Sequence, residues 1–283
     1  MLQKSVDLYY KGEFPPSILI NGIPFSRNGT RYIYQSTKNI NNNSDNFIYI
    51  KVLNEEGLQK SLPSEVKLNN EVFIHRFGPF FTLKNSTERE VGKFFDSISS
   101  TYRQVISPEL NKVVIYYLIR SIINKKKNSL NKFRILDFGI GIGISDEVIK
   151  NKFRSTQIVL YGLEVSDKAM KICKDKGIEV KKKNGLRIPY SNNYFDGVIL
   201  SFVTGYFSGL ASFRKNFSEI IRILKPLGIV AFNLHKTEWK SINSYQRCLS
   251  QIGFSLGTPK IQKTKIGKDY EKIVILEAQK KSK

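Results

Sequence analysis

The chain has 283 residues, of which 41% are hydrophobic, with two cysteines and a formal net charge of +22. That length allows one large core, or one core plus an accessory module. No apolar run approaches the roughly 18–20 residues of a membrane span, and two cysteines (Cys173, Cys248) exclude a disulfide framework, a four-cysteine zinc site and a three-cysteine iron–sulfur site. With no charged-then-apolar leader, a cytoplasmic protein is expected. The positive charge has two readings, an electrostatic footprint for nucleic acid or an AT-rich coding bias. Lys outnumbers Arg by 34 to 12 while Asn and Ile are plentiful, and Arg is the side chain that grips phosphates and bases with a two-pronged fork.

Residues 1–87 show short strand-like runs, Ser17–Ile20, Arg31–Tyr34, Asn46–Leu53 and Glu71–His75, separated by turn chemistry such as Asn21-Gly22 and Asn28-Gly29. They predict a small β-rich accessory module that forms part of a substrate pocket, mediates dimerisation or contacts a macromolecule. His75 lies in an apolar run and reads as a packed histidine. From Glu88 the period changes: Val91, Phe94, Phe95, Ile98, Tyr102 and Val105 recur on one helical face. Pro108 opens a second helix through Val113, Val114, Tyr117 and Leu118.

Phe133-Arg-Ile-Leu-Asp137-Phe-Gly139-Ile-Gly141-Ile-Gly143-Ile144 organises the remainder. An apolar run ends in a carboxylate, three glycines follow at every second residue, and a helical pattern starts near Ser145, so the segment reads strand, tight turn, helix. Glycines there let a ligand approach the backbone at a helix N-terminus. A dinucleotide fingerprint requires a small residue where Ile144 stands, and the G-x-x-x-x-G-K-[ST] phosphate loop is absent.

The D-x-G-x-G-x-G pattern resembles motif I of the class I S-adenosylmethionine (SAM) methyltransferases. The similarity continues in Gln157-Ile-Val-Leu-Tyr-Gly-Leu-Glu164-Val-Ser-Asp, a second strand ending in an acid about 20 residues on. It continues again in Asn184-Gly-Leu-Arg-Ile-Pro-Tyr through Phe195-Asp196, and in the Leu224-Lys225-Pro226-Leu227-Gly228 turn. Phe94 to Arg103 is similar to the entry helix of members acting on small molecules, including the quinone-methylating group, with Arg103 where those have aspartate. The resemblance implies a Rossmann-like α/β fold over 88–283. Its seven-stranded, mostly parallel sheet has helices on both faces, with Phe254–Ser255 and Lys272–Glu277 as the final strands, the last one antiparallel.

SAM is the implied cofactor. By the same resemblance Gly139, Gly141 and Gly143 make room for its methionine and ribose portion, Asp137 orders the turn or meets the ammonium group, and Glu164, followed by Val165, holds the ribose hydroxyls. Asn184, with Gly185, faces the adenine amine, and Tyr102 and Asp96 approach from the entry helix. Leu227 at the usual Gly position implies a turn without positive φ, and Asp196 has a structural role. Ser201, Phe202, Tyr206 and His235 fall at strand ends, where open α/β sheets place ligands; Tyr206 and His235 are the catalytic candidates, an imidazole having a suitable pKa for a base. No metal-ligand pattern occurs. Ser201-Phe202-Val203-Thr204 stands where exocyclic-amine enzymes carry [DNS]-P-P-[YF], so the expected acceptor is a small molecule with O, N or C as its atom. The alternative is an RNA-associated methyltransferase, or a non-catalytic SAM-fold protein that binds through its basic surface.

Overall fold

The computed structural model describes the chain apart from residues 1–3, 10–16, 21–22, 29–30, 35–46, 54–64, 69–70, 78–79, 84–85, 101, 106–107, 126–131, 208, 235, 267–268 and 283. The chain divides into two compact units, residues 1–90 and 91–283.

In the first unit the expected β module is a closed antiparallel barrel. Its strands are β1 (Lys4–Tyr9), β2 (Ser17–Ile20), β3 (Ile23–Asn28), β4 (Arg31–Tyr34), β5 (Phe47–Leu53), β6 (Glu65–Leu68), β7 (Glu71–Phe77) and β8 (Phe80–Leu83). They run in the order β1-β4-β3-β2-β5-β8-β7-β6, and β6 closes back on β1. Closure removes the unpaired edges that an open sheet of such short strands would expose. Val66, Phe73 and Phe81 are buried. The side chain of His75 lies outside the described residues.

Helix α1 (Glu88–Ile98) starts at a capping box. The Thr87 hydroxyl accepts from the Glu90 N–H at 3.3 Å, and the Glu90 carboxylate accepts from the Thr87 N–H at 2.6 Å. A short α2 (Tyr102–Val105) and the long α3 (Pro108–Asn124) follow. The parallel strands are β9 (Phe133–Phe138), β10 (Ile158–Glu164), β11 (Glu179–Lys182), β12 (Phe195–Leu200) and β13 (Leu224–Leu234). They alternate with α4 (Ile144–Lys152), α5 (Asp167–Asp175), α6 (Gly209–Ile223) and α7 (Ile242–Gln251). The chain ends with β14 (Phe254–Leu256), β15 (Lys260–Ile266) and β16 (Asp269–Lys280).

The sheet order is β11-β10-β9-β12-β13-β16-β14, with β16 antiparallel to β13. That is the seven-stranded, mostly parallel arrangement the motif order predicts. The inner strands are buried on both faces, so they read as continuous apolar runs without alternation. Phe195 to Leu200 is buried at every position, and each fully buried Ile, Val or Leu contributes roughly 1.5–3 kcal/mol. On one face Val114, Leu118, Ile119 and Ile122 of α3 cover Ile135 and Ile199. On the other, Phe213, Phe217 and Ile220 of α6 cover Val198, Val230 and Phe232. At the amino-terminal ends of the strands, Asp196 accepts from Lys225 Nζ (2.8 and 2.9 Å) and from the Arg134 N–H (3.0 Å), tying β12 to β9 and to the β13 entry turn.

Two features depart from the sequence reading. First, β15 is an eighth strand, paired only with β16; its Lys-Ile-Gln-Lys-Thr-Lys-Ile alternates too weakly to announce itself. Secondly, Leu227 has φ +61°, so the turn does require the left-handed conformation and a leucine occupies it under strain. A non-glycine residue there costs roughly 1–2 kcal/mol, and the side chain, 49% exposed, recovers little by packing. Leu227→Gly is therefore expected to stabilise the protein by about 0.5–1 kcal/mol after the entropy cost of glycine, read as a rise of roughly 2 °C in Tm.

Charge is divided unequally. Residues 1–90 hold 11 basic and 9 acidic residues, whereas residues 91–283 hold 35 and 15, a net +20. A coding bias acting along the whole gene does not explain that asymmetry.

Candidate cofactor site

The glycine turn sits at the carboxyl end of β9, and its three glycines do different work. Gly139 has φ +79°, and a Cβ there would lie 2.7 Å from Val203. Gly141 has φ +56°, and the nearest side-chain atom to its notional Cβ is the Tyr102 hydroxyl at 3.5 Å, so this is the residue with an open face. Gly143 has φ +77° and faces protein, with Ile178 and Cys173 at 3.0 and 3.3 Å from where a Cβ would be. It caps α4 by backbone conformation and does not line the hollow. The buried Cys173 thiol donates to the Gly141 carbonyl at 3.1 Å, and Lys176 Nζ donates to the Ile142 carbonyl at 2.7 Å, fastening the turn to α5.

Glu164, at the carboxyl end of the neighbouring strand β10, is buried and turned towards this loop. One carboxylate oxygen accepts from the N–H groups of Val165 (2.7 Å) and Ser166 (2.9 Å), the other from the N–H of Gly141 (2.7 Å). Burial raises its pKa, and the three backbone donors oppose that rise. A carboxylate has about four lone-pair positions, so one remains, on the oxygen that faces Gly141.

Asp137 lies directly before the glycines and is 2% exposed. Its Oδ1 has no hydrogen-bond partner among the described residues. Burial, with a smaller contribution from Glu164, pushes its pKa up to about 7; the adjacent Ser145 hydroxyl pulls the other way without completing a full hydrogen bond. The buried Ser201 Oγ, just past β12, likewise has no partner.

Aromatic side chains stand over the turn. The Phe95 ring is 6.4 Å from that of Tyr102 and 5.5 Å from that of Tyr206. Burial, followed by the neighbouring Tyr206, Glu164 and Asp137, raises the Tyr102 pKa, so the phenol stays protonated as a donor. Arg103 pairs with Glu147 of α4, which fixes α2 beside the helix that follows the glycines.

Other expected residues fall at the edge or outside. Asn184 is exposed, beside Gly185 with φ +75°. Phe202 adopts φ +57°, and its N–H donates to Asn233 Oδ1 at 2.7 Å. Tyr206 closes a 3-10 turn, Thr204–Tyr206. His235 lies outside the described residues. Asp96 is not at the hollow: its carboxylate accepts from Ser166 Oγ (2.5 Å) and from the Lys168 N–H (3.0 Å), and Gly92, one turn earlier, brings α1 against the Val165 carbonyl.

Sequence reasoning missed three residues here. Asn233, 1% exposed at the end of β13, holds the strained Phe202 turn; the signal was a lone amide in an apolar strand. Lys183, last of the run Lys181-Lys182-Lys183, is only 5% exposed, with its Nζ donating to the Gly185 carbonyl at 2.6 Å and lying 5.8 Å from the centre of the Phe138 ring. Buried Glu238 accepts from Thr204 (2.9 Å) and Tyr245 (3.1 Å) and fixes the segment after β13.

An open glycine face, a buried acid with one acceptor position left, and two orphaned polar atoms, Asp137 Oδ1 and Ser201 Oγ, fit a polar, cationic ligand bearing hydroxyls. Residues 136–232 match the methyltransferase domain family. A tRNA (carboxymethyluridine(34)-5-O)-methyltransferase of Arabidopsis thaliana is 30% identical over 104 residues, 37% of this chain, and the match spans only 24% of that relative's length. Among solved structures, the magnesium protoporphyrin IX methyltransferase of Synechocystis PCC 6803 with bound SAM superposes with TM-score 0.51 at 14% identity, over 69% of this chain and 98% of its own. A SAM-dependent methyltransferase of Methanosarcina mazei gives 0.45 at 14% identity, over 56% and 98%.

Residues 136–232 thus match a methyltransferase domain, and the sheet that holds them has the fold of a SAM-dependent methyltransferase. Among the described residues no helix is long and apolar enough to cross a membrane.

Proposed function

We propose that the chain methylates a small-molecule acceptor at an O, N or C atom, in the cytoplasm, with its acceptor site at the carboxyl ends of β12 and β13. The observation that carries this reading is the segment Ser201 to Tyr206. It has no Pro-Pro-aromatic clamp for a planar amine, and it is held in a strained bend by Asn233 beside the glycine turn.

SAM supplies an electrophilic methyl carbon on a sulfonium. What the protein contributes is placement and exclusion of water, which together are worth several kcal/mol. Gly141 gives the backbone approach. The free acceptor position of Glu164 takes a ribose hydroxyl, and a second hydroxyl has to share an oxygen already engaged by a backbone N–H. Asp137 Oδ1 would hold the ammonium group. Asn184, beside Gly185, would accept from the adenine amine, while Val165 would contribute through its backbone. Tyr102, Phe95 and Tyr206 would cover the reacting end. Where the acceptor must lose a proton, Tyr206 and, from its sequence position after β13, His235 are the candidates to receive it. Residues 1–87 serve as an accessory module for substrate.

A second reading, an RNA acceptor, is favoured by the net +20 confined to residues 91–283 and by the match to a tRNA methyltransferase. Incubation with methyl-tritiated SAM in a cell extract, then separation of label into organic extract, protein and RNA, distinguishes the two. Label recovered in small molecules is expected. Label found only in nuclease-sensitive precipitate rejects the first reading in favour of the second.

A further inference from the structure

We infer that the β15–β16 hairpin is an RNA-binding arm beside the acceptor side of the pocket. This claim concerns binding and stands whichever molecule accepts the methyl group.

The pairing register locates the arm. Strand β16 runs antiparallel to β13 from Val274, opposite Leu234, to Gln279, opposite Ile229. Residues 269–273 have no partner on β13; they pair with β15 alone. Because β13 points its carboxyl end towards the cofactor side, the hairpin extends beyond that side of the sheet. Five residues at about 3.4 Å each carry it roughly 17 Å past Leu234. Among the described side chains of β15 none is buried.

Its chemistry is cationic. Lys263 stands directly opposite Lys272, Lys265 is two residues along the same strand, and all three side chains are exposed. None of them forms an ion pair among the described residues. Lys260, at the base, is different: it is committed to Glu277 at 3.1 Å. In the register Glu271 lies opposite Thr264, one step out of phase with the three lysines. Like charges directly across a strand pair repel. Lysines that only guard an edge strand do not need a partner lysine on β16, which is an interior strand along its lower half. A phosphate chain relieves the repulsion, since counterions released from it drive binding by an amount that grows with the number of lysines engaged. A two-stranded ribbon also presents its side chains in a row of regular spacing, which suits a linear polyanion. An anionic membrane is a poorer fit, because β15 carries two isolated isoleucines, Ile261 and Ile266, beside these lysines and no wider apolar face.

The test compares two triple substitutions of equal charge in the full chain: Lys263→Gln/Lys265→Gln/Lys272→Gln on the arm, and Lys168→Gln/Lys171→Gln/Lys174→Gln on the exposed side of α5. Binding to unfractionated tRNA is measured between 50 and 200 mM salt. The arm variant should bind about 10–100-fold more weakly at low salt, and its slope of log affinity against log salt should fall by roughly 2–3. The α5 variant should lose less than a third of that in logarithmic terms. SAM affinity, measured in parallel, should be unchanged in both, so that failure of the arm is separable from failure of the cofactor site. Equal losses in the two variants, no loss in the arm variant, or arm-dependent binding to phosphatidylserine vesicles without tRNA binding would each overturn the assignment.

Discussion

Replacing Glu164 by alanine should weaken SAM binding by about 100-fold and destabilise the protein at the same time. The two effects share a cause, because the carboxylate serves the fold and the ligand with the same atoms. It satisfies the N–H groups of Gly141, Val165 and Ser166 within a buried turn, and removing it leaves three donors to be met by whatever water enters. A buried donor without a partner costs roughly 1–3 kcal/mol, and partial hydration brings the total to about 2–4 kcal/mol. The charge-assisted bond to a ribose hydroxyl is worth about 1.5–3 kcal/mol, and the glycine turn it organises loosens as well. Glu164→Gln separates the contributions. It retains an oxygen for the Val165 and Ser166 donors but turns an amide NH₂ towards Gly141, so most of the stability should return while affinity stays at least tenfold down. Titration calorimetry and thermal melts report the two quantities separately; wild-type affinity in the alanine variant would remove the basis for the site.

Asp137→Asn should make the empty protein more stable at pH 8, by about 2 kcal/mol, while impairing cofactor binding. The aspartate pays for function with stability: it is buried without a partner for Oδ1, and its pKa is raised from 3.8 to about 7. That rise disfavours the ionised form by about 4 kcal/mol. The folded protein keeps this proton between about pH 4 and pH 7, whereas the unfolded chain has already released it. Stability linked to Asp137 is therefore complete below pH 3.8, declines as pH rises towards 7, and levels off above that. A cofactor bearing positive charge near Oδ1 reverses the preference, so SAM affinity should rise with pH up to about 7 and then plateau. In Asp137→Asn both profiles should flatten. A wild-type affinity that does not change between pH 5.5 and 8 would show that the carboxylate and the cofactor's charge do not meet.

The same residues show where sequence reading stopped. The glycine turn was visible because it combines a strand's apolar run, an acid and three residues without Cβ at fixed spacing, all within twelve positions. Gly143 nevertheless packs on Ile178 and Cys173, which are more than 25 residues away in sequence, and no local pattern separates a glycine that admits ligand from one that admits protein. Leu227 taught the reverse lesson. Reading a leucine as evidence against positive φ assumed that backbone strain is avoided, whereas Leu227 lies in the irregular start of β13, where the register on β12 jumps from Leu224 to Ile229, and the side chain accepts the turn. Asp96 looked like a pocket residue and caps α5, because helix α1 approaches closely enough at Gly92 to present it there.

By itself the sequence determined the order of strands and helices, the glycine bend and the acid at the end of β10, since each depends on residue type at short range; the cofactor expectation came from the resemblance those motifs carry. The tertiary structure decided which Glu164 oxygen keeps an acceptor position, which buried atoms lack partners, that the amino-terminal strands close into a barrel, and that an eighth strand carries lysines beyond the sheet. These depend on segments far apart in the chain being brought within a few ångströms, which pairing and packing fix and local composition does not encode.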